Sequence, residues 1–389
     1  MVYLITMTTI SRRKFAQLAT ALSAAPLVGF GNSSFPTFSS PIDSRPSPWA
    51  GYSKATVIDF LASPGPFNTS ERFTELSPEM VKNAVASGIT AVNLTVGGGS
   101  GDVEGYFKNM AMWERELQKH PDALMKVRSM ADLKTAKDTK RLGIIFGFQD
   151  CSVIGMDLSR VEMFRSHGVM IMQLTYNGRN QIADGCLVPK DAGLSPYGHD
   201  FVAELNKQKI IVDLSHCSTK TTADGIKASK APVAISHSGC KAVADCPRSK
   251  RDEELKAMAD KGGVVGVYLM PFLTMGPQPM ADDVVKHIDH AVNVCGEDHV
   301  GIGSDLSITP HNVTEAYKTA HAKFVRERKE AGRAAPGEDE KIFMFVPDLN
   351  YPNRLELIAD KLLTKGYKEA RVEKIIGGNF ARLMREVWG

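Results

Sequence analysis

From residue 55 onward, short runs of β-branched apolar residues alternate with longer amphipathic stretches, and few folds satisfy that alternation. The apolar runs are Ala55–Asp59, Ile89–Val96, Gly143–Phe148, Val169–Thr175, Ile210–Leu214, Val233–Ser236, Gly263–Tyr268 and Val300–Gly303. Helical periodicity falls between them, for example at Pro78–Ala86, Val103–Gln118, Leu158–Ser166, His199–Asn206, Asp252–Ala259 and Asp282–Val294. Strands that are apolar throughout are buried on both faces, as in a parallel sheet. Eight such units in roughly 250 residues predict an α/β chain folded as a (β/α)8 TIM barrel, with an open doubly wound sheet as the alternative. Residues 353–388 read as C-terminal helices that cover the barrel. Residues 304–351 read as a long mixed segment with a basic, helix-like stretch at His321–Arg333.

The N-terminus reads as an address. Residues 1–31 hold Arg12, Arg13 and Lys14 and no acidic residue, followed by a mildly apolar stretch from Phe15 to Phe30. A charged region ahead of a short apolar one is the layout of an export signal. Ser11-Arg12-Arg13-Lys14-Phe15 resembles the twin-arginine signal, so the expectation is a signal peptide over 1–31, a flexible Ser/Pro-rich leader over 32–50 and a barrel domain over 51–389, delivered to the periplasm. Twin-arginine signals carry folded proteins, which suits a chain loaded with a cofactor before export. The whole formal charge of +3 comes from those three residues, because 47 basic side chains face 44 acidic ones. A formally neutral remainder gives no global case for nucleic-acid binding. No apolar run beyond the first forty residues reaches the roughly 18 residues of a membrane span, so no stable membrane insertion is expected once the signal is removed. Six cysteines are too sparse for a disulfide scaffold; Cys240 and Cys246 are near enough in sequence to pair, though spacing does not establish a bridge.

Polar residues gather where the predicted strands end. Ile210–Leu214 runs into Ser215-His216, Val233–Ser236 into His237-Ser238, Val300–Gly303 into Ser304-Asp305, and Gly143–Phe148 into Gln149-Asp150. In a barrel these C-terminal ends converge on one mouth, where the chemistry sits. Two imidazoles and a carboxylate are an ordinary ligand set for zinc, with water in the remaining position. Spacing alone does not separate a peptidase from another amidohydrolase, a deaminase or a phosphotriesterase. Other features are weaker. The run Gly97-Gly98-Gly99-Ser100-Gly101 lacks the Lys-Ser/Thr of a phosphate loop and reads as a loop at the mouth. His287 and His290 read as a solvated helix face, Cys217 as a structural thiol, and Asp59 as a structural hydrogen-bonder.

Taken together, these segments resemble the membrane (renal-type) dipeptidases, peptidase family M19. The matching stretches are Gln173 to Asn180 with Asp184-Gly185-Cys186, Val212 to His216, Pro232 to Ser238, Gly262 to Gly266, Gly301 to Asp305, and Gly377 to Arg382. The resemblance covers roughly residues 55–388. It implies a two-zinc barrel that hydrolyses dipeptides. It also implies that His216 and His237 bind one zinc, that Asp305 serves the other, that Arg248 grips the substrate carboxylate, and that Tyr176 faces the substrate. Family members often dimerise, so a homodimer is a state the resemblance admits; no interface is marked in the sequence.

The chain departs from the family pattern where the metals should sit. Asp-Gly-His-Asn-Asp at the first strand is Asp59-Phe60-Leu61-Ala62-Ser63, the bridging Glu is Gln149, and Asp-Phe-Asp-Gly is Asp305-Leu306-Ser307-Ile308. An amide has one acceptor oxygen and does not bridge two metals as a carboxylate does. Two divalent ions held close together with so little negative charge repel strongly. The expectation is therefore one zinc on His216, His237 and Asp305, with Gln149 alongside and Asp305 or Asp150 as general base, acting on a small peptide or peptide-derived amide. The rival is a metal-free or non-catalytic barrel that binds a peptide or small acid.

Overall fold

The computed structural model describes residues 49–69, 73–97 and 102–389. The expected signal, nearly all of the leader, and Gly98 to Gly101 lie outside them. Among the described residues there are eleven short strands: β1 (Ile58–Asp59), β2 (Ala62–Ser63), β3 (Ala91–Gly97), β4 (Leu124–Lys126), β5 (Leu142–Phe148), β6 (Val169–Gln173), β7 (Ile211–Asp213), β8 (Ala234–Ser238), β9 (Val264–Val267), β10 (Val300–Ile302) and β11 (Leu306–Ser307). All the pairings between them are parallel. β1 bonds to both β3 and β10, and β3 bonds to β5, so the eight strands β1, β3 and β5–β10 close on themselves. Each of the eight predicted runs supplies one of these strands, and the barrel replaces the open-sheet alternative.

The eight barrel strands are buried at nearly every position, as their unbroken apolar runs require. Helices follow with local start signals of their own. Ser77, Ser195, Ser218 and Thr314 each accept a backbone N–H of the first helical turn, at Met80, Gly198, Thr221 and Tyr317. Pro78 and Pro196 sit at the first helical positions, where their missing N–H costs nothing. The sequence reading missed helices Met130–Thr139 and Thr219–Ala228 and the strand β4, which pairs on the outer edge of β5. Helix Met130–Thr139 buries only Leu133 and Ala136, so its apolar stripe is faint.

The far end of the barrel is sealed by the C-terminal chain. Helix Asn379–Trp388 buries Phe380, Leu383, Met384, Val387 and Trp388. The Phe380 ring stacks on Phe60 with centroids 3.8 Å apart. A Cβ on Gly301 would meet the Phe380 ring at 2.4 Å, so glycine there is a packing requirement. Asn379 ties the helix start to the barrel by donating to the carbonyls of Glu297 (2.7 Å) and Val300 (2.8 Å). These contacts explain the Gly-Gly-Asn-Phe segment as structural.

Past the barrel, the segment after β10 first forms β11, which pairs in register with β2. It then runs through helix Glu315–Glu330 and a loop across the mouth of the barrel.

Candidate active site at the barrel mouth

His216 and His237 follow β7 and end β8, neighbouring strands, and both are buried. Their Nε2 atoms lie 3.0 Å apart. The tautomer of each ring follows from its other nitrogen. The Asn177 amide donates to the Arg333 carbonyl (2.9 Å), so its oxygen faces His216 Nδ1 at 2.6 Å and must accept a proton from it. Ser236 gives its single hydroxyl proton to Asp213, so at 2.8 Å it accepts from His237 Nδ1. Asp213 is itself fixed by the hydroxyl of Ser215 (2.7 Å) and by the N–H groups of Ser215 (3.1 Å) and Ser236 (2.9 Å). Both rings therefore turn Nε2 lone pairs toward one point. Burial, with the charge of Arg248 behind it, holds both imidazoles well below their ordinary pKa, so neither carries a second proton near neutrality.

Two facing lone pairs at this distance repel each other unless a cation or an N–H donor faces them. On a tetrahedral zinc with Zn–N near 2.0–2.1 Å, two nitrogens sit about 3.3 Å apart. The pair fits one divalent ion. Gln149 stands at the same spot, its amide 3.4 Å from His237 Nε2.

Asp305 does not complete the set. Among the described residues, no group of three or more His, Cys, Asp or Glu side chains is gathered to hold a metal. Asp305 adopts a left-handed backbone, φ 62°, with its N–H on the Leu61 carbonyl (2.8 Å) and its own carbonyl on the Asn68 amide (2.7 Å). Its carboxyl faces the charges of Arg248 and Arg328 instead, and burial pushes its pKa up to about 7. The positions where the family pattern has first-strand ligands are filled: Leu61 is buried, and the buried Ser63 hydroxyl accepts the Gly65 N–H at 3.1 Å.

The remaining expected residues have definite places. Tyr176 stacks on His216, centroids 4.0 Å apart, and its hydroxyl is influenced by Arg328. Asp150 lines the mouth, but its oxygens accept the N–H groups of Ser152 (2.6 Å) and Tyr176 (2.9 Å), which makes it the brace of the Tyr176 loop rather than a free base. Arg248 is 2% exposed and donates to the carbonyls of Ser215 (2.7 Å) and His237 (3.5 Å). A cavity of about 490 Å³ opens over these groups, lined among others by Thr95, Gln149, Asp150, Tyr176, Arg328 and Arg333.

Arg328 and Arg333 come from the mixed segment, whose role at the mouth the sequence did not reveal; a basic stretch without a strand-end position carried no signal. The readings of His287 and His290 change, and the open question of a Cys240–Cys246 bridge is answered. His287 is not on a solvated face. It is buried, accepting the Cys240 N–H (2.9 Å) and reaching the Leu273 carbonyl (3.0 Å). His290 pairs with Asp252 at 2.7 Å. Cys240 and Cys246 do not pair, and all six cysteines are free. The remaining two readings hold: Cys217 is buried with its pKa pushed up to about 12 by desolvation, and Asp59 accepts the N–H of Ser304 at 2.7 Å.

These features define a class first: a (β/α)8 barrel with a histidine pair in its mouth, covered by a helical segment. The chain belongs to the membrane dipeptidase family, peptidase family M19, whose sequence profile matches residues 69–326. It is 28% identical over 285 residues to dipeptidase tcpJ of Claviceps purpurea, covering 72% of this chain and 59% of that protein. It is 32% identical over 214 residues to dipeptidase aclJ of Aspergillus oryzae, covering 53% and 50%. The matched region thus spans half to six-tenths of the length of these two relatives. Among solved structures, an amidohydrolase from Pseudomonas aeruginosa is 31% identical with a TM-score of 0.74, covering 87% of this chain and 98% of that one. No described helix is long and apolar enough to cross a membrane.

Proposed function

We propose that this chain is a dipeptidase that works with one divalent metal, zinc by the character of its donors, held by His216 and His237 beside Gln149. The observation that carries the reading is the pair of Nε2 lone pairs 3.0 Å apart, each fixed by an acceptor on the opposite ring nitrogen. When bound, the ion supplies Lewis acidity, which polarises a peptide carbonyl and acidifies a water. The protein's own groups do the rest. Asn177 and Ser236 keep the imidazoles in the binding tautomer. Asp305 is the carboxylate that takes a proton from the attacking water, and Tyr176 forms the wall against which the peptide lies. A second metal lacks most of its ligands, since Leu61, Ser63 and Gln149 stand where the family pattern has a His, an Asp and the bridging Glu, and only Asp305 remains.

Elemental analysis of purified protein tests the count. We expect about one zinc per chain, with hydrolysis of some members of a dipeptide panel. Two zincs per chain would overturn the single-metal reading, and none with no cleavage would favour the peptide-binding alternative. His216→Ala should abolish both metal and turnover. We also propose export by the twin-arginine route, supported by Ser11 to Phe15. Exchange of Arg12 and Arg13 for Lys should leave the protein in the cytoplasmic fraction; unchanged export would refute that route.

A further inference from the structure

A second cavity, of about 380 Å³, lies between the covering helix Glu315–Glu330, β11 and the loop after β2, and it shares no lining residue with the mouth cavity. Its size suits a small molecule or a single large side chain. The lining contains no Asp, Glu, Lys or Arg. Where the family pattern Asp-Phe-Asp-Gly has its second acid, this chain places Ser307 on the wall. The titratable side chains of the lining are His311, Tyr317 and His321. Burial pushes the His311 imidazole down to about 4 and holds His321 below its ordinary range, so both rings are uncharged near neutrality. A charged ligand would enter without a counter-ion, at a net cost.

The walls are aromatic. The His311 ring stacks on Phe345 with centroids 4.8 Å apart and lies 5.2 Å from Tyr317. Phe67 and Phe324 add two more rings. Aromatic faces of this kind favour another ring beside them. Polar atoms are set among them. His321 donates its Nε2–H to the carbonyls of Asp339 (3.3 Å) and Ile342 (3.0 Å), so its Nδ1 keeps a lone pair. Among the described residues no hydrogen bond reaches that Nδ1, the Tyr317 hydroxyl or the Ser307 hydroxyl. His321 and Ser307 are only 5% and 4% exposed, and polar groups so deeply buried ordinarily have partners. Phe324 also carries the Arg328 guanidinium over its ring, 5.5 Å from the centroid, and Arg328 is paired with Glu338 at 2.6 Å. One wall of the cavity is therefore in contact with the ion pair of the covering segment.

We propose that this cavity is a second binding site, which takes an uncharged aromatic ring with an O–H or N–H on its edge, either the side chain of a peptide or a free phenol or indole. The ring lies among the aromatic walls, and its edge group meets Ser307, Tyr317 and His321. The site is separate from the histidine pair and does not depend on the dipeptidase reading.

Calorimetric titration of the full chain with p-cresol tests this, against 4-hydroxybenzoate and 4-hydroxybenzylamine, which carry the same ring with a charge. One p-cresol per chain should bind, and each charged analogue should bind at least roughly tenfold more weakly. Ala320 lines the cavity, so Ala320→Trp should fill it and lose the binding while melting as a folded protein. The double variant Tyr317→Phe/Ser307→Ala removes only hydroxyls and should weaken p-cresol by about threefold to tenfold, the worth of a lost hydrogen bond. Equal binding of the charged analogues, no saturable binding of p-cresol, or an affinity unchanged in both variants overturns the proposal. Displacement of p-cresol by alanyl-tyrosine but not by alanyl-alanine assigns the ring to a peptide; simultaneous binding of p-cresol and alanyl-tyrosine assigns it to a free ligand.

Discussion

Asp59 shows what a single buried charge does to this barrel. One oxygen accepts the N–H groups of Ser304 (2.7 Å) and Leu61 (3.3 Å), and the other has no partner. Burial raises its pKa to about 6, against the partial relief of those bonds and of Arg354. Asp305 and Tyr52 also feel its charge. A carboxyl whose pKa is raised on folding is protonated more readily in the native state, so its contribution is present at low pH and is lost as pH rises from about 4 through about 6. At about 1.4 kcal/mol per unit, the loss is on the order of 3 kcal/mol. Asp59→Asn should therefore gain stability relative to wild type between pH 4.5 and 7.5, read as denaturation midpoints. A constant difference across that range would show that Asp59 does not titrate there. The sequence reading preferred a structural hydrogen-bonding role for Asp59, next to the lost ligand positions, but its orphaned oxygen was invisible, since the shorter of the two bonds to its carboxylate comes from Ser304, 245 positions away.

At the scale of the element, the mouth-covering segment is held by the clamp between Arg328 and Glu338. Their side chains are 17% and 0% exposed. Removing one member of such a pair strands the other, at a cost of about 3–5 kcal/mol. Glu338→Ala should loosen residues 331–345, seen as faster protease cleavage there than in wild type, while the barrel keeps its circular dichroism. Equal cleavage would show that the segment is held elsewhere. Here sequence reading gave least. The segment's helix runs from Glu315 to Glu330, beginning and ending earlier than the basic stretch His321–Arg333 suggested. Its face toward the barrel is partly charged, so no apolar stripe announced where it packs. The histidine pair was legible, by contrast, because strand ends converge whatever their side chains are. The failed third ligand has the same physical root: Asp305 follows its strand in sequence, yet a left-handed turn redirects it toward arginines.

For the whole molecule, closure is the sensitive step. β1 contributes only Ile58 and Asp59 between β3 and β10, so the seam relies on what packs outside it. Phe380 is the largest piece of that packing, stacked on Phe60 and seated on Gly301. Phe380→Ala should cost about 3–5 kcal/mol and lower the melting temperature by several degrees; a shift under one degree would mean that the seam carries itself. The eightfold alternation in the sequence foretold this closed architecture because apolar runs have to be buried on both faces. The sequence could not foretell how the mouth is tied to its cover. Asn177 spans the two, one end of its amide on the Arg333 carbonyl and the other on His216. If the cover swings far enough to break the first bond, the amide is free to turn, and the imidazole proton is free to change nitrogen. Admission of a substrate and the basicity of the histidine pair then become two readings of a single side-chain torsion.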